Sequence, residues 1–179
     1  ASSRKVSSEH RGILNGKKIN KAIEKKGYRT ELKDSSFSPL HFNSTVAPAG
    51  ADGATSVDVK FSDRTDTRKF TYNAEDGKYS TNDWEKKVKF QNLIILKAES
   101  IYITVPYKGS TTTYLNYKWN SGSGKYISNG TVTNITWEVA DGKLVLKDAV
   151  GNTLSVNKGK SYIGFVSSNH NGKITCSAE

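Results

Sequence analysis

From residue 56 onward apolar side chains recur at every second position, and turn signals separate the runs about every ten residues. No other feature of the chain constrains its fold as much. Val57, Val59 and Phe61 alternate with Asp58 and Lys60, and Ile101, Ile103, Val105 and Tyr107 alternate with Tyr102, Thr104 and Pro106. Thr113, Leu115, Tyr117 and Trp119 share one more face. A period of two is that of a strand with one covered side, and Pro106 marks a strand edge or end. Leu93-Ile94-Ile95-Leu96 is apolar on both sides, which predicts a central strand covered above and below. Asp76-Gly77, Asn129-Gly130 and Asp141-Gly142 tolerate positive φ and favour hairpins. Gly122 and Gly124 are expected to reverse the chain between a strand ending near Trp119 and one starting near Lys125. The chain is thus expected to be mostly β: an antiparallel sheet, as a sandwich or a partly open barrel, with one short N-terminal helix.

That helix is read from residues 16–26, where Ile19, Ala22 and Ile23 fall at helical spacing. Asn15 stands at the N-cap, and Gly27 is placed to end the helix in a left-handed turn. The Ser-, Pro-, Gly- and Ala-rich stretch 35–54 reads as a connector. The expected division is residues 1–55, a small helical segment and connector at the end of an upstream domain, and residues 56–179, an antiparallel β domain.

The formal charge of +10 is unevenly spread. Residues 1–33 hold ten Lys or Arg against three Asp or Glu, leaving 17 against 14 for the rest. Lys17, Lys18, Lys21 and Lys25 line the outer helix face, which could meet nucleic acid or anionic lipid but reads most simply as a solvated face. No apolar run approaches the length of a membrane span.

Gly122-Ser-Gly124-Lys125 invites comparison with a phosphate-binding loop and fails it. Trp119 occupies the site of the first glycine, Tyr126 follows the lysine where Ser or Thr is needed, and the next residues read as a strand instead of a helix. Glu75, Asp76, Asp63, Asp66 and Asp141 lie in turns, where carboxylates cap amides. Asp83 beside Trp84 and Glu138 beside Trp137 are the carboxylates whose surroundings could raise a pKa. A nucleophilic pair would draw on Cys176 with His170, His41 or His10, but Cys176 and His170 fall in what reads as a polar tail, a poor place to hold a base and a thiolate in register. The spread of histidines matches no metal pattern, and no cofactor is called for. Asn43, Asn129 and Asn134 begin N-x-Ser/Thr triplets, which matter only in a eukaryotic secretory pathway.

Aromatic residues crowd one region: Tyr114, Tyr117, Trp119, Tyr126 and Trp137. Tyr117, Trp119, Tyr126 and Trp137, together with Lys125, form the candidate binding surface, since exposed rings on a sheet can stack on sugars or bases. The same rings would also fill a β core.

Gly122, Gly124, Tyr126, Asn129, Gly130, Ile135, Trp137, Asp148, Gly151, Gly159 and Ile163 follow a pattern of turns and aromatic strands that resembles the C-terminal part of the YerB-like family, described as bacterial lipoproteins. Tyr162 stands where the family has Trp, and Val139 where a lysine is usual. The segments SSRKVSSEH, GKKINKAIEKKGY and FSPLHF resemble the end of the family's N-terminal domain, with Arg11 where Asn commonly follows the histidine matched by His10. The resemblance implies a signal peptide, a lipidated cysteine and a larger N-terminal domain, all preceding Ala1, and an extracytoplasmic location on the outer face of the bacterial cell membrane. It supplies no activity or substrate.

The expected function is a non-enzymatic cell-envelope module that binds a wall polymer or partner protein through the aromatic region. Two alternatives are an envelope hydrolase using Asp83, Glu138 or the pair around His10, and nucleic-acid binding by the lysine-rich helix.

Overall fold

The computed structural model describes residues 16–31, 40–81 and 88–178. The chain divides into two compact units, residues 1–38 and 39–179. The first contains helix α1 (Gly16–Lys26), with no buried residue. Gly27 adopts φ +63° beyond its end, and the Tyr28 N–H bonds the Ile23 carbonyl at 3.1 Å. This six-to-one bond is the C-terminal closure expected of a left-handed glycine. Asn15, expected as the N-cap, lies outside the described residues.

The second unit opens with two short strands, β1 (His41–Phe42) and β2 (Asp52–Gly53), followed by β3 (Ser56–Lys60), β4 (Thr67–Asn73), β5 (Lys78–Thr81) and β6 (Val88–Phe90). Next come β7 (Asn92–Ala98), β8 (Ser100–Tyr107), β9 (Ser110–Tyr117), β10 (Ser121–Ser128) and β11 (Thr131–Ala140). The chain closes with β12 (Lys143–Lys147), β13 (Ser155–Val156), β14 (Ser161–Ser167) and β15 (Lys173–Ser177). Because β1 pairs with β13 and β2 with β11, residues 40–54 are part of the β unit, and the boundary expected at residue 55 falls instead at 38/39.

One large sheet runs β12-β11-β10-β7-β14, with β2 attached to β11; a second runs β15-β3-β4-β5-β6. All pairings are antiparallel except β14 on β7 and β1 on β13. The two large sheets are the layers of a sandwich. Val57, Val59, Phe70 and Tyr79 from one and Leu93, Ile95, Ile127 and Val166 from the other share a single buried cluster. The opposite face of the large sheet carries a second cluster around Ile94, Leu96, Tyr126, Ile135 and Trp137, against which Leu40, Ala49, Leu154 and Val156 pack. β7 therefore feeds one core with Leu93 and Ile95 and the other with Ile94 and Leu96, as an apolar run with no polar face requires.

Asn129 and Gly130 (φ +52° and +73°) and Asp141 and Gly142 (+52° and +71°) close two-residue hairpins, as expected of these dipeptides. Lys108 and Gly109 (+45° and +77°) close a third, between β8 and β9. Among the described residues, strands β8 and β9 pair only with each other, forming a two-stranded ribbon. Its alternation is real, but Ile101 and Tyr107 are exposed, with no layer over them among the described residues.

Gly122 and Gly124 are not a reversal. Both lie inside β10, opposite Trp137 and Ile135 of β11. A side chain at Gly122 would collide with the Lys97 carbonyl and come within 2.7 Å of Trp137 Nε1. The glycine leaves room for the indole to pass over β10 and donate to the Lys97 carbonyl of β7 at 3.0 Å. The C-terminal residues, expected as a tail, include β15, which pairs in register with β3.

Candidate functional site

The aromatic group expected as one surface is divided by the fold. Tyr126 and Trp137 are sealed in the second core. The Tyr126 hydroxyl donates to Asn92 Oδ1 (3.1 Å) and accepts from the Asn157 N–H (2.9 Å), so it is fully occupied. Lys125 is adjacent in sequence but on the other side of the sheet, where its ammonium donates to Asn134 Oδ1 at 2.9 Å. Neither Tyr126, Trp137 nor Lys125 thus shares an exposed surface with Trp119.

Tyr117 and Trp119 remain accessible, and both meet a residue that sequence reasoning missed. Phe165 of β14 lies 4.6 Å from Trp119, 5.7 Å from Tyr117 and 5.4 Å from Trp137, measured between ring centroids. The Tyr117 hydroxyl donates to the Phe165 carbonyl at 2.9 Å. Nothing in Ile163-Gly-Phe-Val distinguishes Phe165 from any strand aromatic; its role follows from β14 pairing in parallel with β7, with Phe165 opposite Leu96. Trp119 keeps 56% of its surface in solvent while leaning on this partly buried stack. Ile163, two residues before Phe165 on the same side of β14, is also exposed. The result is a shelf: one exposed indole, backed by a ring that is itself backed by a buried indole.

Beside it, the base of the β8–β9 ribbon is clamped to the turn after β14. Ser100 Oγ lies 2.6 Å from Ser167 Oγ and 3.0 Å from His170 Nδ1, with both serines fully buried. Asn169 Oδ1 accepts from the Ser100 N–H at 2.9 Å. Tyr102 packs edge-on against His170 and donates to Asp63 Oδ1 at 2.5 Å, with the Arg64 guanidinium over its ring at 4.1 Å. The Tyr102 hydrogen bond, aided by the charges of His170 and Arg64, holds the Asp63 carboxyl below its ordinary pKa. A serine hydroxyl on an imidazole invites a nucleophile–base reading, but Ser100 is buried and already shared with Ser167, so the group acts as a clasp.

The other residues weighed for chemistry are engaged elsewhere. Glu138 pairs with Lys147 at 2.8 Å. Cys176 stands in β15 opposite Val57 and packs against the sandwich core, and burial pushes its thiol pKa up, away from the reactive thiolate. His41 is exposed on β1. Asp83, Trp84 and His10 lie outside the described residues. Among the described residues no group of three His, Cys, Asp or Glu gathers as metal ligands. Of the carboxylates expected to cap amides in turns, Asp76 accepts from the Lys78 N–H, whereas Asp63 accepts from the Tyr102 hydroxyl; Asp148 also caps a turn, accepting from the Val150 and Asn152 N–H groups.

The fold is similar to that in the crystal structure of the YerB protein from Bacillus subtilis, with a TM-score of 0.61 at 21% identity. The match covers 88% of this chain and 52% of that one, so the chain spans about half the length of its structural relative. At this identity the likeness bears on fold alone. No curated protein matches the sequence. The family resemblance read from the glycine turns and the Ile-x-Trp strand holds at the level of a family model: that model matches residues 57–163, more than half of the chain, which therefore belongs to the family described as protein of unknown function (DUF3048), C-terminal domain.

Proposed function

We propose that the β unit is a non-enzymatic binding module of the bacterial cell envelope, and that it takes a sugar-bearing wall polymer on the Trp119 shelf. The observation that carries the reading is the exposed face of Trp119, held in place by Phe165 at 4.6 Å. A rigid indole presents a large apolar area with a polar N–H tip and loses little entropy on binding, which suits the face of a pyranose ring. Its backing matters as much as its exposure, because an unsupported surface ring would have to be ordered by the ligand. The remaining chemistry favours binding over catalysis: the Glu138 carboxylate is paired, the Cys176 thiol is held protonated, and the His170 imidazole serves the clasp.

The test is retention of the 179-residue protein on insoluble peptidoglycan and on sacculi bearing teichoic acid, with Trp119→Ala alongside. Wild-type retention reduced at least about tenfold in the variant, roughly the 1.4 kcal/mol of one stacked ring, supports the shelf. Equal retention of both forms, or none of either, overturns it. Since Trp119 is more than half exposed, an unchanged Tm separates lost binding from lost folding.

A further inference from the structure

At the end of the sandwich, away from the aromatic stack along β14, four lysines surround one open cleft of about 540 Å³: Lys78 of β5, Lys89 of β6, and Lys158 and Lys160 of the loop before β14. We propose that this cleft is a site for the phosphates of a polyol-phosphate chain, separate from the Trp119 shelf and not dependent on it.

The cleft is built from three segments tied to one another. The Gln91 and Asn92 N–H groups both donate to the Lys160 carbonyl, at 2.8 and 3.2 Å, and Gln91 Nε2 donates to the Gly77 carbonyl at 3.0 Å. Gly159, between the two loop lysines, has φ +134°, and a Cβ there would lie 2.7 Å from the Gln91 side chain. Gly159 lets the loop lie close against Gln91, and these contacts set Lys158 and Lys160 beside Lys78 and Lys89.

The charge balance is what points to an anion. Asp76 pairs with Lys89, and its other oxygen caps the Lys78 N–H. Among the described residues no carboxylate is paired with the ammonium groups of Lys78, Lys158 or Lys160. Three like charges remain on one concave surface. Exposed ammonium groups are hydrated and screened over about 8–10 Å at physiological salt, so each contributes little alone, and a ligand with repeated charges gains most. The side chains also choose among anions. Lysines are point charges that suit phosphate without the bidentate geometry of arginine. Among the described residues no aromatic ring lines the cleft to stack a nucleobase.

The experiment measures affinity of the full 179-residue protein for a short synthetic poly(glycerol phosphate) across a salt series. The Lys158→Gln/Lys160→Gln variant is compared with Lys17→Gln/Lys21→Gln, which removes the same charge from α1. Wild type should lose affinity with a log–log salt slope of about −2, as for roughly three phosphates neutralised. The cleft variant should bind about tenfold more weakly with a slope near −0.7, while the helix variant keeps wild-type behaviour. Three results overturn the proposal: wild-type affinity in the cleft variant, equal loss in the helix variant, or tighter binding of a single-stranded oligonucleotide of equal charge. All four substituted lysines are exposed, and matched Tm values confirm that the variants are folded.

Discussion

Gly122 of β10 stands directly opposite Trp137 of β11, and the absence of a side chain at 122 is what lets the indole reach β7. Trp137 thereby ties together three strands of the large sheet and supplies the rear wall of the shelf through its edge-on contact with Phe165. Gly122→Ala would force a methyl group against the Lys97 carbonyl and the indole nitrogen. Overpacking against backbone, with loss of a buried hydrogen bond, should cost about 2–3 kcal/mol. Denaturant unfolding reads this directly, and a midpoint equal to wild type would mean that the sheet yields at no cost.

A buried polar network fixes the segment before β2. Asn157, with no solvent exposure, accepts at Oδ1 from the Ala47 N–H (3.0 Å) and Asn43 Nδ2 (3.1 Å), and donates from Nδ2 to the Ala47 carbonyl (2.7 Å) and Ser128 Oγ (2.9 Å). Asn157→Ala leaves several of these partners unsatisfied, at roughly 1–3 kcal/mol for each group that water cannot reach. Global stability should fall by about 3 kcal/mol. The more specific signature is hydrogen exchange: the Ala47 amide should lose protection while amides of β7 exchange only as fast as the lowered global stability allows. Uniform loss at both sites would show that the segment is not separately held by Asn157.

The ribbon clasp can be tested through Asp63. The Tyr102 hydroxyl is the main cause of its lowered pKa, with His170 and Arg64 adding to it and partial desolvation opposing them. Tyr102→Phe should therefore raise the Asp63 pKa toward its ordinary value, as followed by carboxyl carbon NMR. A depressed folded-state pKa gives stability that is present above the unfolded value near 4 and is lost as pH falls through the folded one. The variant should accordingly show a smaller difference in stability between pH 5 and pH 2 than wild type. An unmoved Asp63 titration would transfer the effect to His170 and Arg64.

How legible these features are in the sequence depends on the range of the interaction behind them. Leu93 to Leu96 announces a strand covered on both sides because every residue of the run is apolar, and Asn129-Gly130 and Asp141-Gly142 announce hairpins because their backbone geometry is a local property. Gly122 and Gly124 mislead because Gly-Ser-Gly has the same composition whether it bends the chain or admits a neighbouring ring. Alternation at Ile101 to Tyr107 predicts an apolar face but not whether a second layer exists to cover it. Phe165 is invisible for a related reason: β14 lies more than sixty residues beyond β7, and no local signal tells that the two pair in parallel. Of the candidate surface, Trp119 and Tyr117 belong to the shelf, whereas burial removes Tyr126 and Trp137 and the strand's alternation removes Lys125.

Alkaline pH should unfold the β unit through its buried tyrosines. Burial is the largest influence on Tyr79 and Tyr126, and it raises both pKa values above the ordinary 10. The Tyr79 hydroxyl donates to the Ala54 carbonyl at 2.9 Å, a bond that its phenolate could not make. With folded pKa values above unfolded ones, the stabilising contribution is complete below pH 10 and declines as pH rises beyond it toward the folded values, because only the unfolded chain releases these protons. Stability should be nearly level from pH 7 to 9 and fall above about 10. Tyrosinate absorbance near 295 nm supplies the check: its rise should include a second step, from the buried Tyr79 and Tyr126, that appears only together with loss of the β circular dichroism signal. In Tyr79→Phe that second step should shrink, and the decline in stability above pH 10 should become shallower, although the variant starts lower by about 1 kcal/mol for the missing hydrogen bond. Ionisation of Tyr79 and Tyr126 near pH 10 with the fold intact would mean that they reach water, and that the sandwich is not closed over them.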